Sequence, residues 1–343
     1  MEYSLTGEGD LDLDAKSRAR VISRLIEKLS DSYILTDLAE RMVDDIQRRD
    51  EAGEYESITT ASGLCAALQE HMQAISRDRH LRIRYSPMPE DEPDRDAPER
   101  VEERRERYAT GEMENFGFFR AERLPGNVGY LDLRVFAAVD MAAETAVATM
   151  NFLANTYALI FDLRKNRGGW PDMIALLTTY LFDKPTHLNT MHKRGEDAGT
   201  QQYWTSPYVP GKRFGQEKPV YVLTSNFTFS GAEEFAYNLK NLKRAILLGE
   251  TTLGGAHPVD FVWLDPHFRV IMPVARAVNP ISGTNWEGTG VVPDIEVPEA
   301  EAYDKAYRMA LEHVSSLDLP DLSAQARRML REEVQGALEG QGI

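Results

Sequence analysis

The chain has 343 residues and a formal net charge of −16, enough length for two or three domains and a charge that argues against nucleic-acid or anionic-membrane partners. Its single cysteine, Cys65, excludes an intrachain disulfide framework. The acidic N-terminus has no apolar secretory core and no stretch approaches the length of a membrane span, so the sequence reads as that of a cytoplasmic protein.

Residues 1–14 are acidic and expected to be mobile. From 15 to about 73 the apolar period is helical. Val21, Ile22, Leu25, Ile26 and Leu29 make one stripe, Leu38, Ala39, Met42, Val43 and Ile46 a second, and Leu64, Ala67, Leu68, Met72 and Ile75 a third. Residues 15–87 are therefore a helical N-terminal domain of about three helices. It closes in RDRHLRIRYSP, where Leu81, Ile83 and Tyr85 alternate with Arg82 and Arg84 as in a strand and His80 stands at the strand's mouth. Residues 88–115 read as a charged linker with room for a short helix.

An α/β domain is expected over 116–315. Strand 127–136, helix 141–156, strand 157–169 running into a glycine turn, and helix 173–182 repeat in the order of βαβ units. The polar, aromatic segment 183–218 reads as a hairpin or flap. At 219–223 a buried strand begins again, and a polar turn to Ser230 leads into a helix whose face carries Ala232, Phe235, Ala236, Leu239 and Leu242. A strand at 245–249 follows. Segments 259–264 and 268–278 look like an antiparallel extension, 279–298 is a Gly/Pro-rich loop, and helices are expected at 302–314 and 323–338, with 316–343 forming a C-terminal helical segment.

Ser230 thus sits where a strand end turns into a helix N-terminus, the place where open α/β sheets bind ligands and where free N–H groups can hold an oxyanion. Taken alone, Ser230 and Glu233 are S-x-x-E, a capping box. Three other segments carry further chemistry. DLRKNRGG, at 162–169, ends in Gly168 and Gly169, whose N–H groups, with that of Gly231, are candidates for an oxyanion hole. TLGGAHP, at 252–258, brings His257 as a second base candidate. NWEGTGVVPDIEVP carries Glu287, a carboxylate suited to orienting a histidine, and Asp294, which reads as a brace of the loop. A serine needs a base to become nucleophilic, and the base needs a partner that orients it.

TSNFTFSGAEEFAYNLK, DLRKNRGG and GTGVVPDIEV together resemble the tail-specific, or C-terminal processing, serine peptidase superfamily. GETTLGGAHP, NPISGTNWEGTGVVPD and the helical domain ending in DRHLRIRY are similar to its interphotoreceptor retinoid-binding protein-like and tricorn-core branch. The resemblance covers about residues 15–315. It implies an α/β fold with a Clp protease/crotonase-like spiral ββα core behind a small three-helix domain. Tail-specific proteases pair their serine with a lysine, and that place is held here by Gly254 and Gly255, while Lys240 and Lys243 do not match it. The tricorn-core branch implies instead Ser230 as nucleophile, His80 as base, Glu287 as its orienter, and Gly169 and Gly231 as oxyanion donors. Arg79 stands where that branch has a second serine. Residues 88–115 are too few and too polar for the PDZ domain of tail-specific proteases.

The resulting expectation is a serine peptidase acting on peptides by a Ser–His–Glu mechanism, with no metal or organic cofactor and with homo-oligomerisation open. An esterase with the same triad is one alternative. Another, from a different class, is a carrier of apolar small molecules, with Trp170, Trp204, Phe227, Phe229 and Trp286 lining its pocket.

Overall fold

The structure is a computed structural model that describes residues 10–90, 92, 101–194 and 199–340. The expected mobile N-terminus up to residue 9 and most of the linker's first half lie outside the described residues. In chain order the helices are α1 (Ala15–Ser32), α2 (Thr36–Glu51), α3 (Ala61–Ser76), α4 (Val101–Met113), α5 (Val139–Leu153), α6 (Pro171–Thr179), α7 (Gly231–Asn241), α8 (Glu299–Ser316) and α9 (Ala324–Glu339). The strands are β1 (Arg82–Tyr85), β2 (Phe118–Leu124), β3 (Val128–Leu133), β4 (Ala158–Asp162), β5 (His187–Lys193), β6 (Thr200–Trp204), β7 (Val220–Thr224), β8 (Ile246–Gly249), β9 (Val259–Asp265), β10 (Phe268–Pro273), β11 (Ala275–Val278) and β12 (Ile295–Glu296). No described helix is long and apolar enough to cross a membrane.

The chain clusters into two units. The first comprises the described residues up to Pro98 with Met191–Gln201 and His257–Ala277; the second comprises the rest. In the first unit the three helical stripes meet. Val21, Leu25, Leu29, Met42, Ile46, Leu64, Leu68 and Met72 are all fully buried in one core. Asp14 caps α1 by accepting the Ser17 N–H, and Thr60 caps α3 by accepting the Gly63 N–H. Helix α3 stops at Arg77, which takes a left-handed conformation (φ 53°), and the chain turns there into Asp78 and His80.

Segments 259–264 and 268–278 differ from the expectation of a sheet extension on the α/β domain. Strand β10 pairs antiparallel with both β9 and β1, giving the order β1-β10-β9 within the first unit. The reason is register. Ile83 faces Val270, and Val270, Met272 and Phe268 enter the same core as the helical stripes. Strands β5, β6 and β11 fall where the chain passes from one unit to the other; β5 and β6 lie in the segment expected as a hairpin or flap.

The second unit holds a six-stranded sheet in the order β12-β8-β7-β4-β3-β2, parallel throughout except for the β2–β3 pair. Strands β4 and β7, in its middle, are buried at every position, which matches their unbroken apolar runs. Helices α8 and α9 cover one face through Ala302, Ala306, Tyr307, Ala310, Leu311 and Val334. On α7, Phe235 packs against Phe136 and Phe161. Strand β2 has no counterpart in the sequence reading, because its pattern FFRAERL is largely exposed and carries three charges on an edge.

Candidate active site

Because β4 and β7 are neighbouring parallel strands, the loops after them leave the same edge of the sheet side by side. They are laced together. Ser225 Oγ donates to the Arg164 carbonyl (2.6 Å), Thr228 Oγ1 to the Leu163 carbonyl (2.9 Å), and the Phe229 N–H to the Asn166 carbonyl (3.2 Å). The buried Asn166 side chain donates to the Leu133 carbonyl and accepts the Gly168 N–H, shaping the glycine turn. Gly169 has φ 137°, and a Cβ there would lie 2.1 Å from the Phe136 carbonyl oxygen, so only glycine lets the two chains run together.

Ser230 enters α7 with φ 56° and ψ −122°, a conformation unlike the extended one of an ordinary N-cap serine. Gly231 follows so close to the neighbouring loop that a Cβ on it would be 2.9 Å from the Gly169 nitrogen. The Cβ of Ser230 in turn crowds Gly168. The peptides of Gly169 and Gly231 therefore converge beside the serine. Among the described residues neither of their N–H groups is hydrogen-bonded. Two unoccupied donors next to a serine at a helix N-terminus are what a developing oxyanion requires.

Glu233 does more than cap a helix. Its carboxylate accepts the Ser230 N–H (2.8 Å), the Gly254 N–H (2.6 Å), the Gly255 N–H (2.9 Å) and the Thr252 hydroxyl (2.5 Å). It is fully buried, and burial pushes its pKa up to about 7 against the pull of those hydrogen bonds. Glu234 beside it is also buried and raised to about 7 by burial, with the Asn189 and Asn238 amides lowering it in part. Sequence reasoning reached Glu233 only as half of a capping box; the three donors from 252–255 are not legible in S-x-x-E.

The loop at 252–255 is joined in turn to the Glu287 loop. The Trp286 indole N–H donates to the Gly255 carbonyl (2.8 Å), the Val291 N–H to Thr252 Oγ1 (2.7 Å), and the Gly288 N–H to the Gly254 carbonyl (3.2 Å). Glu287 accepts the Ala256 N–H at 2.5 Å. Asp294 accepts the Leu247 N–H and pairs with Lys240, the bracing role expected of it.

The two candidate bases belong to the first unit, together with a residue that the sequence reading did not single out. Asp78, 2 % exposed, accepts the His80 N–H (2.9 Å), the Tyr33 hydroxyl (3.1 Å) and a hydrogen bond from His257 Nδ1 (2.8 Å). Burial opposes its ionisation, yet the His257 and His80 contacts prevail and hold its carboxyl below the usual range. Burial drives the His80 imidazole down to about 4, helped by the charges of His257 and Arg82 and resisted by Asp78, so it is neutral near pH 7. The D-x-H spacing of DRH was the available signal for Asp78.

The aromatics proposed to line an apolar pocket have different fates. Trp286 is buried against Tyr237, Trp204 stacks on His187, and Trp170 and Phe227 are exposed. Cavities of about 250 and 700 Å³ are lined by none of them.

The model of peptidase family S41 matches residues 127–297, and that of the N-terminal domain of peptidase S41 in eukaryotic IRBP matches residues 13–113. A carboxy-terminal-processing protease of Bartonella bacilliformis is 27 % identical over 195 residues, covering 55 % of this chain and 43 % of its own. The chain spans less than half the length of the curated relatives it matches. The photosystem II D1 C-terminal processing protease superposes with a TM-score of 0.51 at 14 % identity, over 82 % of this chain and 94 % of that one. The tricorn protease does so with a TM-score of 0.53 at 13 % identity, over 88 % of this chain and 37 % of that one. The fold is accordingly the Clp protease/crotonase-like core behind an N-terminal helical domain.

Proposed function

The chain belongs to peptidase family S41, and on that premise we propose that it is a serine hydrolase that cleaves peptides with Ser230 as its nucleophile. The observation that carries this reading is the pair of unoccupied N–H groups of Gly169 and Gly231 beside Ser230 at the start of α7. Ser230 Oγ attacks the scissile carbonyl, and its proton passes to His80. The tetrahedral oxyanion accepts from Gly169 and Gly231. His80 returns the proton to the leaving amine, and water then releases the acyl group by the same route reversed. Glu287 orients the imidazole. The neutral state of His80 near pH 7 is the form a base needs.

A second assignment of the base is favoured by one contact. His257 has Nδ1 on the buried Asp78 carboxylate at 2.8 Å, an arrangement that orients the ring and, with Nδ1 donating, makes Nε2 its basic nitrogen. Fluorophosphonate labelling read by intact mass distinguishes the two. One adduct on the wild type, lost in Ser230→Ala and His80→Ala but kept in His257→Ala, supports the leading reading. Loss in His257→Ala with retention in His80→Ala moves the base to His257. An adduct retained in Ser230→Ala sinks the nucleophile.

A further inference from the structure

The loop that supplies Gly169 also carries two cations. Lys165 and Arg167 are exposed on either side of the buried Asn166. Arg164, before them, is committed: it pairs with Asp162 at 2.6 Å and donates to the Glu299 carbonyl. Lys165 and Arg167 have no carboxylate within ion-pair distance among the described residues. The Arg167 guanidinium instead lies over the Phe227 ring, 4.2 Å from its centroid, and 5.9 Å from that of Phe229. Glu250, which meets the same turn at Asn226, is occupied by the backbone N–H groups of Asn226 (3.2 Å) and Glu299 (3.3 Å).

Stacking uses the face of a guanidinium and leaves its edge donors free, in the fork that matches a carboxylate. Both anchors of this group sit on the catalytic loops. Arg167 directly precedes Gly168, where an added Cβ would lie 2.8 Å from Ser230 Cβ, and Phe227 precedes Ser230 by three residues. A chain carrying −16 overall thus holds, with Lys165 nearby and at the rim of its proposed oxyanion hole, a guanidinium that lies over Phe227 and has no ion pair among the described residues. A substrate residue one or two positions from the scissile carbonyl reaches roughly 3.5–7 Å along an extended peptide.

We propose that Arg167, supported by Lys165, forms a carboxylate-binding subsite that makes the enzyme prefer peptides with an acidic side chain close to the scissile bond. The inference rests on the serine-hydrolase reading. Its test uses internally quenched peptide pools randomised at the central pair and flanked by Glu in one pool and by Gln in the other, with a parallel fluorophosphonate labelling of the wild type.

The Glu pool should be turned over about tenfold faster at low substrate, the size expected of one charge-assisted pair, and the advantage should shrink with added salt. Arg167→Gln should bring the ratio close to one, Arg167→Lys should restore part of it, and Arg167→Glu should reverse it. Wild type labelled at Ser230 yet indifferent to Glu against Gln overturns the subsite alone. Wild type that is not labelled overturns the hydrolase reading and the subsite with it. A preference that survives Arg167→Glu assigns acid recognition elsewhere and also overturns the proposal.

Discussion

Replacing Glu233 with Gln should disable Ser230 without touching it. The carboxylate is the common acceptor for four donors, three of them backbone N–H groups. An amide of the same shape keeps one oxygen but turns an NH2 toward backbone N–H groups, which can only donate. Leaving a buried donor unsatisfied costs about 1–3 kcal/mol, but the amide also removes a buried charge that folding disfavours, so the net change in stability is small while the Ser230 turn loses its common acceptor. The Ser230 turn and the 252–255 loop should separate, and the rate of fluorophosphonate labelling should fall at least tenfold.

The pH profile sharpens this prediction. Burial raises the Glu233 pKa from 4.5 to about 7 in the folded protein. The native state therefore binds this proton more tightly than the unfolded chain does. Stability falls as pH rises between those two values, by ~3 kcal/mol for the whole interval. Only the ionised form accepts all four donors, so labelling should rise with pH through about 7 while thermal stability declines. Glu234 titrates in the same window but makes none of the hydrogen bonds that join the serine turn to the 252–255 loop. Glu234→Gln should flatten the stability slope and spare the labelling slope. His80, held down to about 4 in the folded protein, does not titrate where labelling rises. Its own stability contribution grows with pH between about 4 and 6.5, so the Glu233 slope is read as the difference between wild type and Glu233→Gln. Wild-type labelling and an unchanged pH profile in Glu233→Gln would refute the reasoning.

Two further outcomes follow from the same geometry. Gly231→Ala places a methyl 2.9 Å from the Gly169 nitrogen, so the two donors can no longer converge; labelling should fall about a hundredfold, the usual effect of losing an oxyanion donor, with the fold retained by circular dichroism. His80 is depressed from 6.5 to about 4, so the unfolded chain takes up its proton first as pH falls; the associated ~3 kcal/mol is present above 6.5 and lost by about 4, and urea titrations of His80→Gln should show a shallower acid slope than wild type.

The parts of the molecule legible in sequence are those with one dominant signal. The helical stripes of α1–α3 and the apolar runs of β4 and β7 announce themselves by period and by burial on both faces. So does the serine at a strand-to-helix junction. Strand β2 was hidden by its charges. The placement of β9 and β10 was hidden because periodicity shows that a strand exists and not which strand it pairs with; Ile83 opposite Val270 is a long-range match. Asp78 and Glu233 escaped for the same reason. Each looks like a local turn or cap, and each earns its importance from partners 19 to 179 residues away.

The glycines at 254 and 255 bear on which base the protein can use. The resemblance to tail-specific proteases would place a lysine there, and the simplest expectation is that restoring it restores Ser–Lys chemistry. The structure argues otherwise. Gly254 has φ 89°, a conformation L side chains rarely adopt, and a Cβ would meet the Gly290 nitrogen at 2.9 Å. Its N–H is the shortest of the backbone donors to Glu233, and its carbonyl accepts the Gly288 N–H. A lysine at 254 would force apart the loops that hold Ser230 and Glu287 before it supplied an amine. Gly254→Lys should therefore lower the melting temperature and the labelling rate together, and combining it with His80→Ala should leave no labelling. Recovery of labelling in that double variant would show that the site accepts a lysine base after all, and that the 252–255 loop is adaptable rather than fixed by Glu233.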